Sequence, residues 1–142
     1  FTKKYFWFLV MEYGFSFEDN VFTSDELEIS ITPEWKRPDF CYPEISFKLA
    51  READCPVLPF DWILYYLNDA QPDIHVKASL EENMQYFSDL LQRYSQRLFL
   101  DAGTWWIPAH KYRLKIWENL FETDHVVSFQ SVYDYISAKE GK

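Results

Sequence analysis

The most regular pattern of apolar residues lies between residues 79 and 100. Apolar side chains there recur at alternating spacings of four and three, which is typical of one face of a long amphipathic helix. This stripe consists of Leu80, Met84, Phe87, Leu91, Tyr94 and Leu98. Ser79 followed by Glu82 forms a capping-box pattern, and Gly103 follows the stripe. The pattern therefore predicts a helix that begins at Ser79 and ends near residue 100.

Two shorter segments alternate apolar and polar residues with a period of two. They are LEISIT (27–32) and EISFKLA (44–50), and each predicts a strand with one buried and one solvent-facing side. The link between them, 33–43, contains three prolines. We expect an antiparallel pair joined by a long, stiff excursion.

The N-terminal segment 3–13 carries apolar residues at helical spacing, and Gly14 is a typical residue just beyond a helix end. The acidic segment 16–26 that follows fits either a loop or a strand around Val21 and Phe22.

The remaining segments favour further helices. FDWILYYLND (60–69) predicts a short helix with Asp61 as its N-cap, although a buried strand also fits, and QPD (71–73) predicts a turn. Segment 109–121 fits a helix opened by Pro108 or an alternating strand, and we favour the helix. Segment 131–138 predicts a last helix. The predicted fold is α+β, in one domain spanning 1–142: a small antiparallel sheet packed against the long helix 79–100, with N-terminal and C-terminal helices.

Composition narrows the classes of function. The net charge is −9, from 14 basic and 23 acidic residues, and this field repels nucleic acids and anionic membranes while attracting basic proteins. No apolar run approaches the ~20 residues that span a bilayer, and no signal-peptide cleavage pattern is visible. Cys41 and Cys55 are too few for a disulfide framework, so we expect free thiols and a cytoplasmic protein.

Motifs for catalysis or metal binding are absent from the sequence. His75, His110 and His125 have no metal-ligand spacing, and with only three glycines the chain contains no phosphate-binding loop. No GxSxG motif identifies a nucleophile. We therefore expect no catalytic residues, no metal and no cofactor, and an enzyme whose site cannot be read from spacing remains an alternative.

The Trp105–Trp106 pair is the first candidate binding site. If neighbouring side chains point to opposite faces, as on a strand, one indole packs inward and the other faces solvent. Together with His110, which is expected at the surface, the outward indole could bind a small ligand or a carbohydrate.

Segment 17–43 is the second candidate, because it combines carboxylates with large aromatic rings. Its predicted partner-binding residues are Glu18, Asp19, Asp25, Glu26, Trp35, Phe40 and Tyr42. Aromatic anchors surrounded by acid suit a basic protein partner. The alternative is that these rings fold back over the sheet as a lid.

The opening FWFLVMEYGFSFEDNVF, followed by LEISI and EISFKL, resembles the layout of small, acidic, cytoplasmic bacterial immunity proteins of polymorphic toxin systems. This resemblance covers roughly residues 5–50, rests on layout and carries over no functional residue. It implies a protein that binds a toxin, which is often basic. The leading prediction is thus a non-catalytic, immunity-like protein-binding domain, and the first alternative is a ligand-binding domain that uses Trp105 and Trp106.

Overall fold

A meander of five antiparallel strands forms one layer of the fold. The computed structural model describes residues 2–37, 40–52, 54–68, 79–120 and 127–140, so the turn expected at 71–73 lies outside it. The strands are β1 (Ser16–Glu18), β2 (Val21–Thr23), β3 (Leu27–Arg37), β4 (Phe40–Leu49) and β5 (Leu58–Pro59), and they lie side by side in chain order.

Helices form the second layer. They are α1 (Thr2–Phe6), α2 (Phe8–Tyr13), α3 (Phe60–Asn68), α4 (Leu80–Phe99), α5 (Trp106–Leu120) and α6 (Val127–Lys139), with a 3₁₀ turn at Ala102–Thr104 before α5. Contacts of α1, α3 and α4 with β3 and β4 cover one face of the sheet. This arrangement confirms the predicted α+β fold and the long helix at its centre.

The acidic segment 16–26 is a hairpin of two short strands. Asp19 and Asn20 form its turn with φ values of 51° and 66°. Asp and Asn tolerate the left-handed region better than most residues, and such turns match the twist of paired strands. Of the two possibilities that the sequence left open, the strand around Val21 and Phe22 is the one found.

The expected excursion between β3 and β4 is wrong, because both strands continue through the link. Pro33 lies opposite Pro43 and Trp35 lies opposite Cys41, in register with the ladder below them. A proline interrupts a ladder only where its missing N–H would have bonded to the neighbouring strand. Pro33 and Pro43 occupy positions whose backbone groups point away from each other, so the hairpin extends past both of them.

The core lies between the inner face of the sheet and α4. Leu27, Ile29 and Ile31 of β3 are buried against the helix layer, as are Met84 and Leu91 of α4. The capping box is present: the Ser79 hydroxyl accepts from the Glu82 N–H at 3.1 Å and donates to the Glu82 carboxylate at 2.9 Å. The stripe predicted for α4 is therefore the face that packs on the sheet.

Two buried serines on α4 attach the N-terminal helices. The Ser88 hydroxyl donates to the Tyr5 carbonyl at 2.6 Å. The Ser95 hydroxyl donates to the Gln92 carbonyl, so the Tyr13 hydroxyl donates to Ser95 at 2.8 Å. The helix predicted at 3–13 is found as α1 and α2, separated by a turn at Trp7, and Gly14 ends it at φ 73°.

The remaining helices differ from prediction mainly in where they start. Segment 60–68 is a helix and not a strand, but Asp61 lies within its first turn and is not the N-cap. Helix α5 begins at Trp106, two residues before Pro108, and the strand alternative for 109–121 is wrong. A proline fits there because the N–H groups of a first helical turn have no intrahelical partner.

Candidate functional site

The structure separates the predicted partner-binding residues into two groups at opposite ends of β3. Trp35 lies eight residues along the strand from Leu27, which corresponds to about 26 Å at the usual rise of a strand. Asp25 and Glu26 immediately precede Leu27. The extended strand therefore carries the two ends of segment 17–43 apart, and a single acidic aromatic surface over the whole segment stays a prediction.

Trp35 lies on a two-stranded extension of the sheet, which we call the β-arm and define as residues 33–37 and 40–43. The side chain of Trp35 is 60% exposed. By the strand alternation, it lies on the same face as the buried Ile29 and Ile31. The apolar face of the sheet thus continues beyond the helices that cover it. The lid alternative, in which this ring folds back into the core, is wrong for Trp35. Phe40 and Tyr42 belong to the β-arm by their backbone, and their side chains are outside the described part of the chain.

Both edges of the β-arm are protected against pairing with another strand. The Ile31 N–H donates to the Asn20 carbonyl of the β1–β2 turn at 3.0 Å, so alternate residues of β3 direct their backbone groups toward this side. Pro33 occupies the next such position and has no N–H to offer. Pro43 does the same on the opposite edge. Prolines at these positions discourage edge-to-edge association with another strand.

Glu18 and Asp19 lie near the base of the β-arm. Glu18 ends β1 and Asp19 begins the turn that follows it. This turn is hydrogen-bonded to Ile31 of β3, which is four residues, or about 13 Å, from Trp35 along the strand. Glu18 and Asp19 are therefore at the base of the β-arm and not beside its tryptophan.

Asp25 and Glu26 form part of a different surface. They line both an open groove of about 410 Å³, together with Arg51 and Glu52, and a neighbouring groove of about 620 Å³. One Glu26 carboxylate oxygen accepts a hydrogen bond from the Ala102 N–H at 3.3 Å. Glu26 thus connects the β2–β3 turn to the segment that precedes α5, which is a structural contact.

The Trp105–Trp106 corner is part of the core. Trp105 is 4% exposed and Trp106 is 2% exposed. The Trp105 indole N–H donates to the Leu98 carbonyl at 3.0 Å, and the Trp106 indole N–H donates to the Tyr135 hydroxyl at 3.0 Å. The expectation of one outward indole is wrong, because these residues join a 3₁₀ turn to a helix and do not alternate as on a strand. Trp105 and Trp106 therefore do not form the exposed aromatic platform that the ligand-binding alternative requires.

His110 is also buried, contrary to the surface position expected for it. It is 0% exposed, and neither ring nitrogen has a hydrogen-bond partner. Its ring lies 4.7 Å from the Trp106 ring and 5.9 Å from the Tyr135 ring, centroid to centroid. Burial, followed by the charge of Arg113, lowers the pKa of His110 from 6.5 to about 3. The imidazole is therefore neutral at physiological pH.

Arg113, one turn further along α5, is a buried cation that the sequence did not single out. Its guanidinium donates to the Val57 carbonyl at 2.8 Å and lies 4.4 Å from the Trp117 ring centroid. Burial lowers the pKa of Arg113 to about 10, and Asp61 partly offsets this effect. Trp106, His110 and Arg113 recur at helical spacing, so they mark the inner face of α5. This helical spacing was visible in the sequence, but His110 and Arg113 are ionisable, so the three residues did not stand out as an apolar stripe.

The described residues offer little of the chemistry that catalysis or metal binding needs. In residues 2–37, 40–52, 54–68, 79–120 and 127–140, no three His, Cys, Asp or Glu side chains are arranged to hold a metal ion. Cys55 is buried, and burial raises the pKa of its thiol, which makes it a poor nucleophile. Among the described helices, none has the length and apolar character to cross a bilayer. Comparison with protein-family models, curated proteins and solved structures found no match.

Proposed function

We propose that this protein is a non-catalytic binding domain that docks a protein partner on the exposed face of the β-arm. The observation that carries the proposal is Trp35, a large aromatic side chain 60% exposed on the face that is buried elsewhere in the sheet. Tryptophans are enriched among residues that dominate binding energy, because they bury a large area with few rotatable bonds. An exposed tryptophan on a stiff hairpin suits that role.

The partner that fits this surface has an apolar pocket for Trp35 and a basic rim. Glu18 and Asp19 lie at the base of the β-arm, within reach of such a rim, and the chain as a whole carries a net charge of −9. Exposed carboxylates are screened by salt, so they mainly accelerate the encounter and contribute less to the lifetime of the complex. An immunity-type inhibitor of a basic toxin is one protein of this kind, in line with the resemblance of residues 5–50.

The two acidic pairs provide a matched test of where the partner binds. Glu18→Gln with Asp19→Asn removes two charges at the base of the β-arm, and Asp25→Asn with Glu26→Gln removes the same charge from the turn before β3. The second pair also retains an acceptor for the Ala102 N–H. Asn suits the left-handed conformation of residue 19, so the first pair keeps its turn.

The partner is captured from the native host, identified and purified, and association rates are then measured at several salt concentrations. We expect the Glu18–Asp19 pair to slow association and to flatten its salt dependence, while the Asp25–Glu26 pair has the smaller effect. A larger effect of the Asp25–Glu26 pair would place docking at the opposite end and contradict the proposal.

A further inference from the structure

Among the described residues, helix α6 packs mainly on α5, at the margin of the main core. Its Val132 and Ile136 pack with Leu114 and Trp117 of α5 in an apolar cluster distinct from the main core. Tyr135 packs against both this cluster and the main core, and its hydroxyl donates to Glu52 at 3.1 Å. Lys139 forms an ion pair with Glu52 at 2.7 Å, and Glu140, just after the helix, forms one with Lys111 at 3.1 Å. Elements with few buried apolar contacts tend to open locally before the whole protein unfolds.

His110 lies directly beneath this helix. The rings of Tyr135 on α6 and Trp106 on α5 both contact the imidazole, so the docked helix helps to keep His110 from solvent. Neither nitrogen of the ring is hydrogen-bonded. The site therefore accepts a neutral imidazole and offers no acceptor to a charged one.

The charges around His110 also oppose its protonation. On α5, Arg113 is the charge that acts on the imidazole, and it is repulsive. On α6, Tyr135 faces the ring, and its hydroxyl already bonds to Trp106 and Glu52. On α3, Asp61 acts on Arg113. The Glu52 carboxylate, which accepts the hydrogen bond from Tyr135, is also paired with Lys139.

We propose that α6 is an acid-sensitive closing element: protonation of His110 releases α6 from α5, which hydrates the imidazolium while the sheet and α4 remain folded. Opening lets water hydrogen-bond to both ring nitrogens, and the charged imidazole is then no longer enclosed in a low-dielectric interior. The Trp106 and Tyr135 rings beside the imidazole offer some cation–π attraction, but ring faces are weak partners for the two N–H groups of an imidazolium.

The size of the effect follows from linkage. With α6 docked, the pKa of His110 is about 3, and once it is hydrated we expect its ordinary value of 6.5. The open form then binds more protons than the closed form between these two pH values, so acid favours opening. Between pH 7.5 and pH 5 the open population rises by about 30-fold, and the carboxylates stay mostly ionised over this range.

The test is amide hydrogen exchange on the intact chain, expressed as protection factors so that the intrinsic pH dependence of exchange is removed. We expect the protection of amides 130–139 to fall by about 30-fold from pH 7.5 to pH 5, while the amides of the α4 core keep theirs. In His110→Leu, which cannot be protonated, this fall should disappear. His125→Gln removes a histidine close to α6 in the sequence and should leave the fall intact.

Three results would overturn the proposal. The first is a pH-dependent loss that persists in His110→Leu, and the second is a loss shared equally by α4 and α6. The third comes from direct titration of the His110 imidazole by NMR in the wild-type protein, which does not depend on a variant folding. A midpoint near 6.5 while α6 stays protected would mean that the closed site tolerates the charge.

Discussion

Leu91→Ala tests the assignment of the α4 stripe as the centre of the core. Leu91 is fully buried in the middle of this helix and faces the sheet. Truncation removes its buried methyl groups and leaves a cavity that the sheet and the neighbouring aromatic rings cannot fully close. Such leucine truncations cost about 3–5 kcal/mol of unfolding free energy. For a chain of 142 residues this corresponds to a fall in Tm of roughly 10–17 °C.

The assay is urea unfolding followed by circular dichroism, with Gln96→Ala as the matched control. Gln96 is on the same helix and is exposed, so its truncation should change the free energy of unfolding by less than about 0.5 kcal/mol. The slope of the unfolding free energy against urea should be the same for both variants. A loss below about 1 kcal/mol for Leu91→Ala, or equal losses for both variants, would mean that the wrong face of α4 has been assigned to the core.

Two further predictions concern the Trp105–Trp106 corner and the absence of a required metal ion or disulfide. Trp105→Phe keeps an aromatic ring but leaves the Leu98 carbonyl without its indole donor, so we expect a loss of about 1–3 kcal/mol in the same urea assay; an unchanged midpoint would show that the bond contributes nothing. The sequence shows no metal-ligand spacing, and Cys55 is a free, buried thiol, so thermal melts with and without chelator, and with and without reductant, should overlay. A drop of many degrees with either reagent would contradict this.

Local patterns in the sequence predicted the elements of the fold well where a single rule decided the outcome. The spacing of the α4 stripe and the alternation in LEISIT and EISFKLA each identify an element whose apolar residues lie on one face, and the Ser79 cap marks where α4 begins. The fold class follows, because a sheet with one apolar face and a long amphipathic helix must cover each other.

The candidate site could not be predicted in the same way, because it depends on register. The three prolines in 33–43 suggested that this segment leaves the sheet. Whether a proline interrupts a strand depends on which side its missing N–H faces. That side is fixed only by the register of β3 with β4, which the sequence does not show. The same pairing carries Trp35 away from Asp25 and Glu26. For Trp105 and Trp106, a turn-to-helix junction replaced the assumed strand alternation, so both indoles are buried.

The most direct test of the account compares Trp35→Ala with Leu100→Ala in binding to the purified partner. Leu100 is an even more exposed apolar residue, at 80%, and lies after α4, beside the groove lined by Asp25 and Glu26. If Trp35 anchors the complex, its truncation should cost about 2 kcal/mol or more, an increase in the off-rate of about 30-fold, with almost no change in Tm. Leu100→Ala should leave both the off-rate and Tm unchanged. If Trp35→Ala instead lowers Tm and leaves the off-rate unchanged, Trp35 is a structural residue and the β-arm is not the docking surface.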